Sequence, residues 1–271
     1  MSKYLQITFR PIDTEKAELL MAALSAANFE GFEEEDETLK AFIKEEECDL
    51  EELNVIAEAN DMTFGMSVIE ETNWNAVWES NFDPVVVDDF VAVRASFHEP
   101  IPGVEYEIVI TPKMSFGTGH HATTFMMMQQ MREIGFNGKK VFDFGTGTGV
   151  LAILAAKLGA TEIVAIDNDD WSIENARENK ENNGTDAIRL AKADSAADQG
   201  KFDIILANIN KNVILDNMAV LKDQLEPGGI LLLSGLLIQD EEDIRAAAGK
   251  YGLNVVSRKE KHNWLCLSTS Y

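Results

Sequence analysis

Residues 141–152, Val-Phe-Asp-Phe-Gly-Thr-Gly-Thr-Gly-Val-Leu-Ala, constrain the fold more than any other stretch of this 271-residue chain. An apolar strand runs into a glycine-rich turn, and the turn opens a helix. A second apolar strand over 162–166 ends on Asp167. This is the nucleotide-facing half of a βαβ unit. Its glycines let the backbone approach a ligand, and the acid on the next strand receives ribose hydroxyls.

The spacing separates two cofactor classes. A dinucleotide fingerprint reads G-x-G-x-x-G, with a pyrophosphate over the helix N-terminus. Here Gly145, Gly147 and Gly149 make G-x-G-x-G, and Val150 takes the third dinucleotide position. That favours S-adenosylmethionine, which has no phosphate, over NAD. Asp143, two residues before the first glycine, suits a cationic amino-acid moiety and is an odd neighbour for a pyrophosphate. The spacing places Asp143, Gly145, Gly147 and Asp167 at the cofactor. The bland alternative is a tight turn with no ligand.

Asp and Glu number 47 against 23 Lys and Arg, a net charge of −24. Such acidity opposes direct contact with a nucleic-acid backbone and attracts a basic protein, although it serves solubility equally well. Cys48 and Cys266 make neither a metal spacing nor a disulfide framework, which fits a reducing compartment. The first six residues show no signal segment, and no apolar run is long enough to span a membrane. A soluble cytoplasmic protein is expected.

Residues 1–70 read strand, helix, strand, strand, helix, strand, a ferredoxin-like order. Strands fall at 4–10, 29–35, 38–44 and 63–70, with helices starting at a Thr14 cap and over 49–60. The acidic runs 33–37 and 45–47 are either a solvated face or a landing surface for a basic partner. Residues 71–84 set Trp74, Trp78 and Phe82 four apart on a short helix that Pro84 stops, a linker whose aromatics pack on a neighbour. Residues 85–271 alternate strands with helices, which predicts a doubly wound parallel sheet. Strands are expected at 90–97, 105–110, 202–207 and 230–234, the last entered through a Pro227-Gly228-Gly229 turn, and helices at 125–134, 150–158, 171–182 and 239–250. The strands 253–260 and 263–270 have no helix between them and should pair antiparallel.

Two further segments carry chemistry. Residues 115–124, Ser-Phe-Gly-Thr-Gly-His-His-Ala-Thr-Thr, read as a lid over the cofactor, with Thr123 or Thr124 donating a hydrogen bond. The bland reading is a flexible loop with a Thr helix cap. The adjacent His120 and His121 lack Cys or carboxylate spacing, so no metal is expected. Ala207-Asn208-Ile209-Asn210 ends a strand at the carboxyl edge, where open α/β sheets bind ligands. A neutral amide there accepts a hydrogen bond from a substrate N–H, whereas a carboxylate would hold an amine protonated. Lysine, with a pKa near ~10.4, needs an apolar pocket to arrive neutral. Phe116, Ile209 and Trp264 are candidate walls, and Asn208, Ile209 and Phe116 are the candidate catalytic residues.

Together these segments resemble the ribosomal protein L11 methyltransferase family over nearly the whole chain. The resemblance rests on Trp74, Trp78, Phe82 and Pro84, on the 116–124 loop, on Asp143 to Gly147, on Asp167, on Ala207-Asn208-Ile209, and on Ser234-Gly235 with Trp264. It implies a class I S-adenosylmethionine-dependent methyltransferase that modifies lysine ε-amines and the N-terminal α-amine of L11. It implies cofactor contacts at Thr124, Gly145, Asp167 and Asn208, a small N-terminal domain that recognises L11, and a linker that allows several domain orientations. Ala122 and Asn210-Lys211 depart from the family's usual residues. Rival readings are a methyltransferase for another protein or small-molecule amine, a non-catalytic cofactor-binding protein, and a nicotinamide oxidoreductase.

Overall fold

The computed structural model describes residues 4–35, 37–69, 82–113 and 117–271. The chain forms two compact units, Met1–Asn81 and Phe82–Tyr271. The expected aromatic linker helix, with Trp74 and Trp78, lies outside the described residues, as does Phe116. Phe82 belongs with the second unit, where its ring stacks on His98 at 6.1 Å.

The first unit runs β1 (Tyr4–Phe9), α1 (Thr14–Ala26), β2 (Gly31–Glu35), β3 (Thr38–Lys44), α2 (Leu50–Ala59) and β4 (Phe64–Ile69). Its antiparallel sheet has the order β2-β3-β1-β4, the ferredoxin-like arrangement. Period-two alternation buries Leu5, Ile7 and Phe9 of β1 with Leu39, Ala41 and Ile43 of β3 against Leu20, Leu24 and Leu53 of the helices. The cap of α1 is Asp13 rather than Thr14, its carboxylate accepting from the Lys16 N–H at 2.9 Å. Asp49 caps α2 in the same way.

The second unit opens with a three-stranded sheet of β5 (Val85–Val87), β6 (Val91–Ala95) and β7 (Tyr106–Ile110). Then come α3 (Ala122–Met131), β8 (Lys140–Phe144), α4 (Val150–Lys157), β9 (Glu162–Asp167), α5 (Asp170–Asn182), β10 (Ile188–Lys192) and β11 (Phe202–Asn208). The chain closes with α6 (Lys211–Gln224), β12 (Leu225–Leu237), α7 (Glu241–Lys250), β13 (Asn254–Lys261) and β14 (Trp264–Ser270). The large sheet is ordered β10-β9-β8-β11-β12-β14-β13. Five strands are parallel, and the closing pair is antiparallel as expected.

Both faces of this sheet are covered, so its strands read as continuous apolar runs. Val141 faces a core with Met127, Met131 and Leu154, while its neighbour Phe142 faces the opposite core with Ile214, Met218 and Ile244. Strand order reverses between β8 and β11, which opens a crevice at their carboxyl ends. Helix α5 differs from its neighbours: Asn175 and Asn179 are fully buried and work as clamps. Asn175 donates to the Thr111 carbonyl at 3.0 Å, and Asn179 accepts from the Thr111 N–H at 2.7 Å while donating to the Thr148 carbonyl at 2.8 Å.

Beyond the α1 cap, the structure departs from the sequence pattern in three places. Strands β5 and β10 were not anticipated, being a three-residue strand and an edge strand with charges at Arg189 and Lys192. Helix α3 starts at Ala122, three residues before the expected 125, because His121 caps it. Strand β12 begins at Leu225, so Pro227-Gly228-Gly229 interrupts its register against β11 instead of preceding it.

Candidate functional site

The glycine turn lies between β8 and α4. Gly145, Gly147 and Gly149 all have positive φ, at 78°, 54° and 82°, which a residue with a Cβ rarely adopts. A Cβ at Gly149 would stand 3.2 Å from the Cβ of Ala176, so this glycine also lets α4 close on α5. The N–H groups of Gly145 and Thr146 both donate to the Ile166 carbonyl at 2.9 Å, pinning the turn to β9. At the end of β9, the Asp167 carboxylate accepts from the Gly147 N–H at 2.9 Å and from the Asp169 N–H at 3.1 Å. Backbone donors therefore hold this acid at the mouth of the turn.

The turn opens into a cavity of about 490 Å³ at the carboxyl edge of β8, β9 and β11. Of the residues singled out from the sequence, Thr123, Gly145, Gly147, Asp167, Asn208, Ile209 and Trp264 line it. Thr124 stands behind this wall: 1% exposed, it accepts from the Asn208 side-chain amide at 3.1 Å. That bond leaves Asn208 Oδ1 buried with no hydrogen-bond partner. The neighbouring Asn210 caps α6, its side-chain oxygen accepting from the Val213 N–H at 3.1 Å.

Asp143 is 1% exposed and accepts the Thr146 hydroxyl at 2.6 Å, with Oδ1 unpartnered. Burial pushes its carboxyl up to about 7; the Thr146 bond opposes the rise and the Asp167 charge adds to it. It supports the turn from beneath the cavity lining.

Other lining residues include His121, Asn210 and Gly235, which the sequence singled out for other reasons, and Asn168, Ser172, Ala193, Asp194 and Val213, which it did not. His121 caps α3, its Nδ1 lying 2.8 Å from Thr123 Oγ1. Its ring meets Trp264 at 4.5 Å in a T-shaped contact, and burial lowers its pKa. Asn168, Ser172, Ala193 and Asp194 line the side reached from β9 and β10. Asp194 was missed because β10 was missed. Gly235 sits at a bulge in β12, at φ 80°, and a Cβ there would lie 2.3 Å from the Ile209 carbonyl oxygen. Among the described residues, no group of three His, Cys, Asp or Glu side chains is arranged to hold a metal.

The lining fits S-adenosylmethionine. Among the described residues it contains Asp167 and Asp194 but no Lys or Arg, so a pyrophosphate would meet like charge, whereas a sulfonium cation and a neutral nucleoside would not. The size is that of a small-molecule site. The family described as ribosomal protein L11 methyltransferase (PrmA) matches residues 8–271. The chain belongs to this family.

Among its relatives in the family is a Bacteroides fragilis protein named ribosomal protein L11 methyltransferase, 38% identical over 272 residues, 97% of each chain. A Chlorobaculum tepidum protein of the same name is 37% identical over 275 residues, covering 97% of this chain and 94% of its own. A crystal structure of ribosomal protein L11 methylase from Lactobacillus delbrueckii subsp. bulgaricus superposes with a TM-score of 0.65 at 30% identity, over 70% of this chain and 98% of that one.

Proposed function

We propose that this protein transfers methyl groups from S-adenosylmethionine to lysine ε-amines and the N-terminal α-amine of ribosomal protein L11. The observation that carries the amine reading is Asn208: a neutral amide at the carboxyl edge, fixed through its nitrogen by Thr124, with its oxygen buried and unpartnered. Gly145, Gly147 and Asp167 would hold the nucleoside, and Asp194 offers a second acceptor in the cavity. When bound, S-adenosylmethionine supplies an activated methyl: the C–S bond breaks as the amine lone pair forms the N–C bond, and the positive charge passes from sulfur to nitrogen.

The residues contribute position and environment. Asn208 Oδ1 accepts an N–H of the neutral amine and aims its lone pair. Phe144, Ile209, Val213 and Trp264 supply apolar surface that disfavours the ammonium form and depresses the amine pKa. The acidic hairpin of the first unit offers a basic protein a complementary face: Glu33 and Glu35 pair with Lys40, and Glu34 and Glu37 stand exposed beside them. Thr123, Thr124 and Asp143 serve by placing the cofactor turn and the amide. A ribosomal protein substrate puts the reaction in the cytoplasm, and no helix among the described residues is long and apolar enough to cross a membrane.

The test is intact-mass analysis of unmodified L11 incubated with the protein and cofactor. Steps of one methyl, mapped to lysines or the N-terminus, are expected. No shift, with cofactor binding confirmed by calorimetry, discards L11 in favour of another acceptor.

A further inference from the structure

Resting on the reading that the acceptor is an amine, we propose that Asn208 and Trp264 divide successive methylations. Asn208 orients the nitrogen while it still has an N–H, and the corner formed by the Trp264 and His121 rings receives it once it has none.

The argument begins with the nitrogen. A neutral primary amine has two N–H groups, its monomethyl form one, and its dimethyl form none. Among the described cavity-lining residues, only Asn208 presents a buried side-chain acceptor without a partner. An acceptor can orient the first two nucleophiles and has nothing to grip on the third. What the dimethylamine offers is methyl groups, which become strongly polarised as the nitrogen turns into a quaternary cation. Aromatic faces bind such a cation, and tryptophan binds it best.

The structure supplies that surface in the same cavity as the amide. Trp264, half-buried at the start of β14, lines the cavity, and the His121 ring meets it at 4.5 Å with an interplanar angle of 70°. Two ring planes at nearly a right angle make a corner rather than a flat wall. Both groups are set by the first turn of α3: His121 caps it through Thr123, and the next residue, Thr124, holds Asn208. The amide and the corner therefore keep a common reference as the nitrogen changes character. A ring also stabilises the cation less than a carboxylate would, so the incoming amine is not locked in its protonated form.

Two readouts test this with the full-length enzyme. The first is binding: a peptide carrying trimethyllysine is titrated against the same peptide with a tert-butyl carbon isostere, which has the same shape and no charge. The wild type should prefer the cation by roughly 2- to 30-fold. Trp264→Leu should erase that preference, and fluorination of the ring at 264, which drains its face without changing its packing, should reduce it stepwise. The second is single-turnover transfer to unmodified and to dimethylated L11. Trp264→Leu should slow the dimethylated substrate at least fivefold more than the unmodified one, and Asn208→Ala should do the reverse. Equal affinity for cation and isostere in the wild type, or equal slowing of both substrates by each variant, overturns the proposal. Failure of the amine reading looks different: the wild type binds the cofactor and transfers no methyl to unmodified L11.

Discussion

Gly235→Ala separates backbone strain from active-site displacement. The glycine stands at φ 80°, where an alanine costs about 1–2 kcal/mol. A Cβ there would also lie 2.3 Å from the Ile209 oxygen, 2.7 Å from its carbonyl carbon and 2.9 Å from its nitrogen. All three are backbone atoms, so no rotamer relieves the contact. The 208–210 segment must retreat by roughly 0.7–1 Å, and a misplacement of that size near reacting atoms costs about 100-fold in rate. Gly228→Ala is the control: its φ is 77°, in the same strand, but nothing lies within 4 Å of its added Cβ. Both variants should lose a few degrees in Tm from the positive φ by differential scanning fluorimetry, and Gly235→Ala should lose more because its clash is with backbone. Only Gly235→Ala should also lose about two orders of magnitude in kcat/KM for methyl transfer to L11. If it retains activity within a fewfold of Gly228→Ala, the Ile209 backbone does not set the reacting geometry.

Three further outcomes are expected. Asp167→Ala removes a charged acceptor from the Gly147 N–H and from the ribose, and should weaken S-adenosylmethionine binding roughly 10- to 100-fold by calorimetry; unchanged affinity would refute the ribose assignment. Asn208→Asp places a carboxylate at the amine, holds it protonated, and should cut the rate near neutral pH about tenfold or more while moving the pH optimum upward; a profile superposing on the wild type would contradict the neutral-acceptor argument. Asp143, raised from 3.8 to about 7, binds its proton more tightly in the folded state, so its contribution to stability is greatest below pH 3.8, declines as pH rises toward 7, and is flat above. Asp143→Asn should therefore gain on the wild type across that window, by at most about 4 kcal/mol above neutral in urea unfolding; a pH-independent difference would show that Asp143 does not titrate there.

Much of this molecule was legible in the chain because local rules are strong where backbone and solvent dictate them. The βαβ turn at 141–167 needs glycines for positive φ and an acid at a strand end, and both requirements act within a few residues. The period-two pattern of β1 and β3 and the apolar runs of β8 and β11 follow from which faces are covered. The order of elements made the ferredoxin-like and doubly wound sheets the natural closures.

Tertiary structure decided what depends on distant neighbours. Asn208 and Asn210 are the same residue type two positions apart; only the packing of Thr124 against one and the Val213 N–H against the other makes the first a cavity acceptor and the second a cap. The asparagines of α5 look like a solvated face and are buried clamps, because β7 and the glycine turn bring them unpaired backbone groups. His121 and Trp264 are 143 positions apart and share one cavity wall. Asp194 joined the site only once β10 was in the sheet beside β9. Contacts of this kind are fixed by chain closure over many residues, and no local pattern records them.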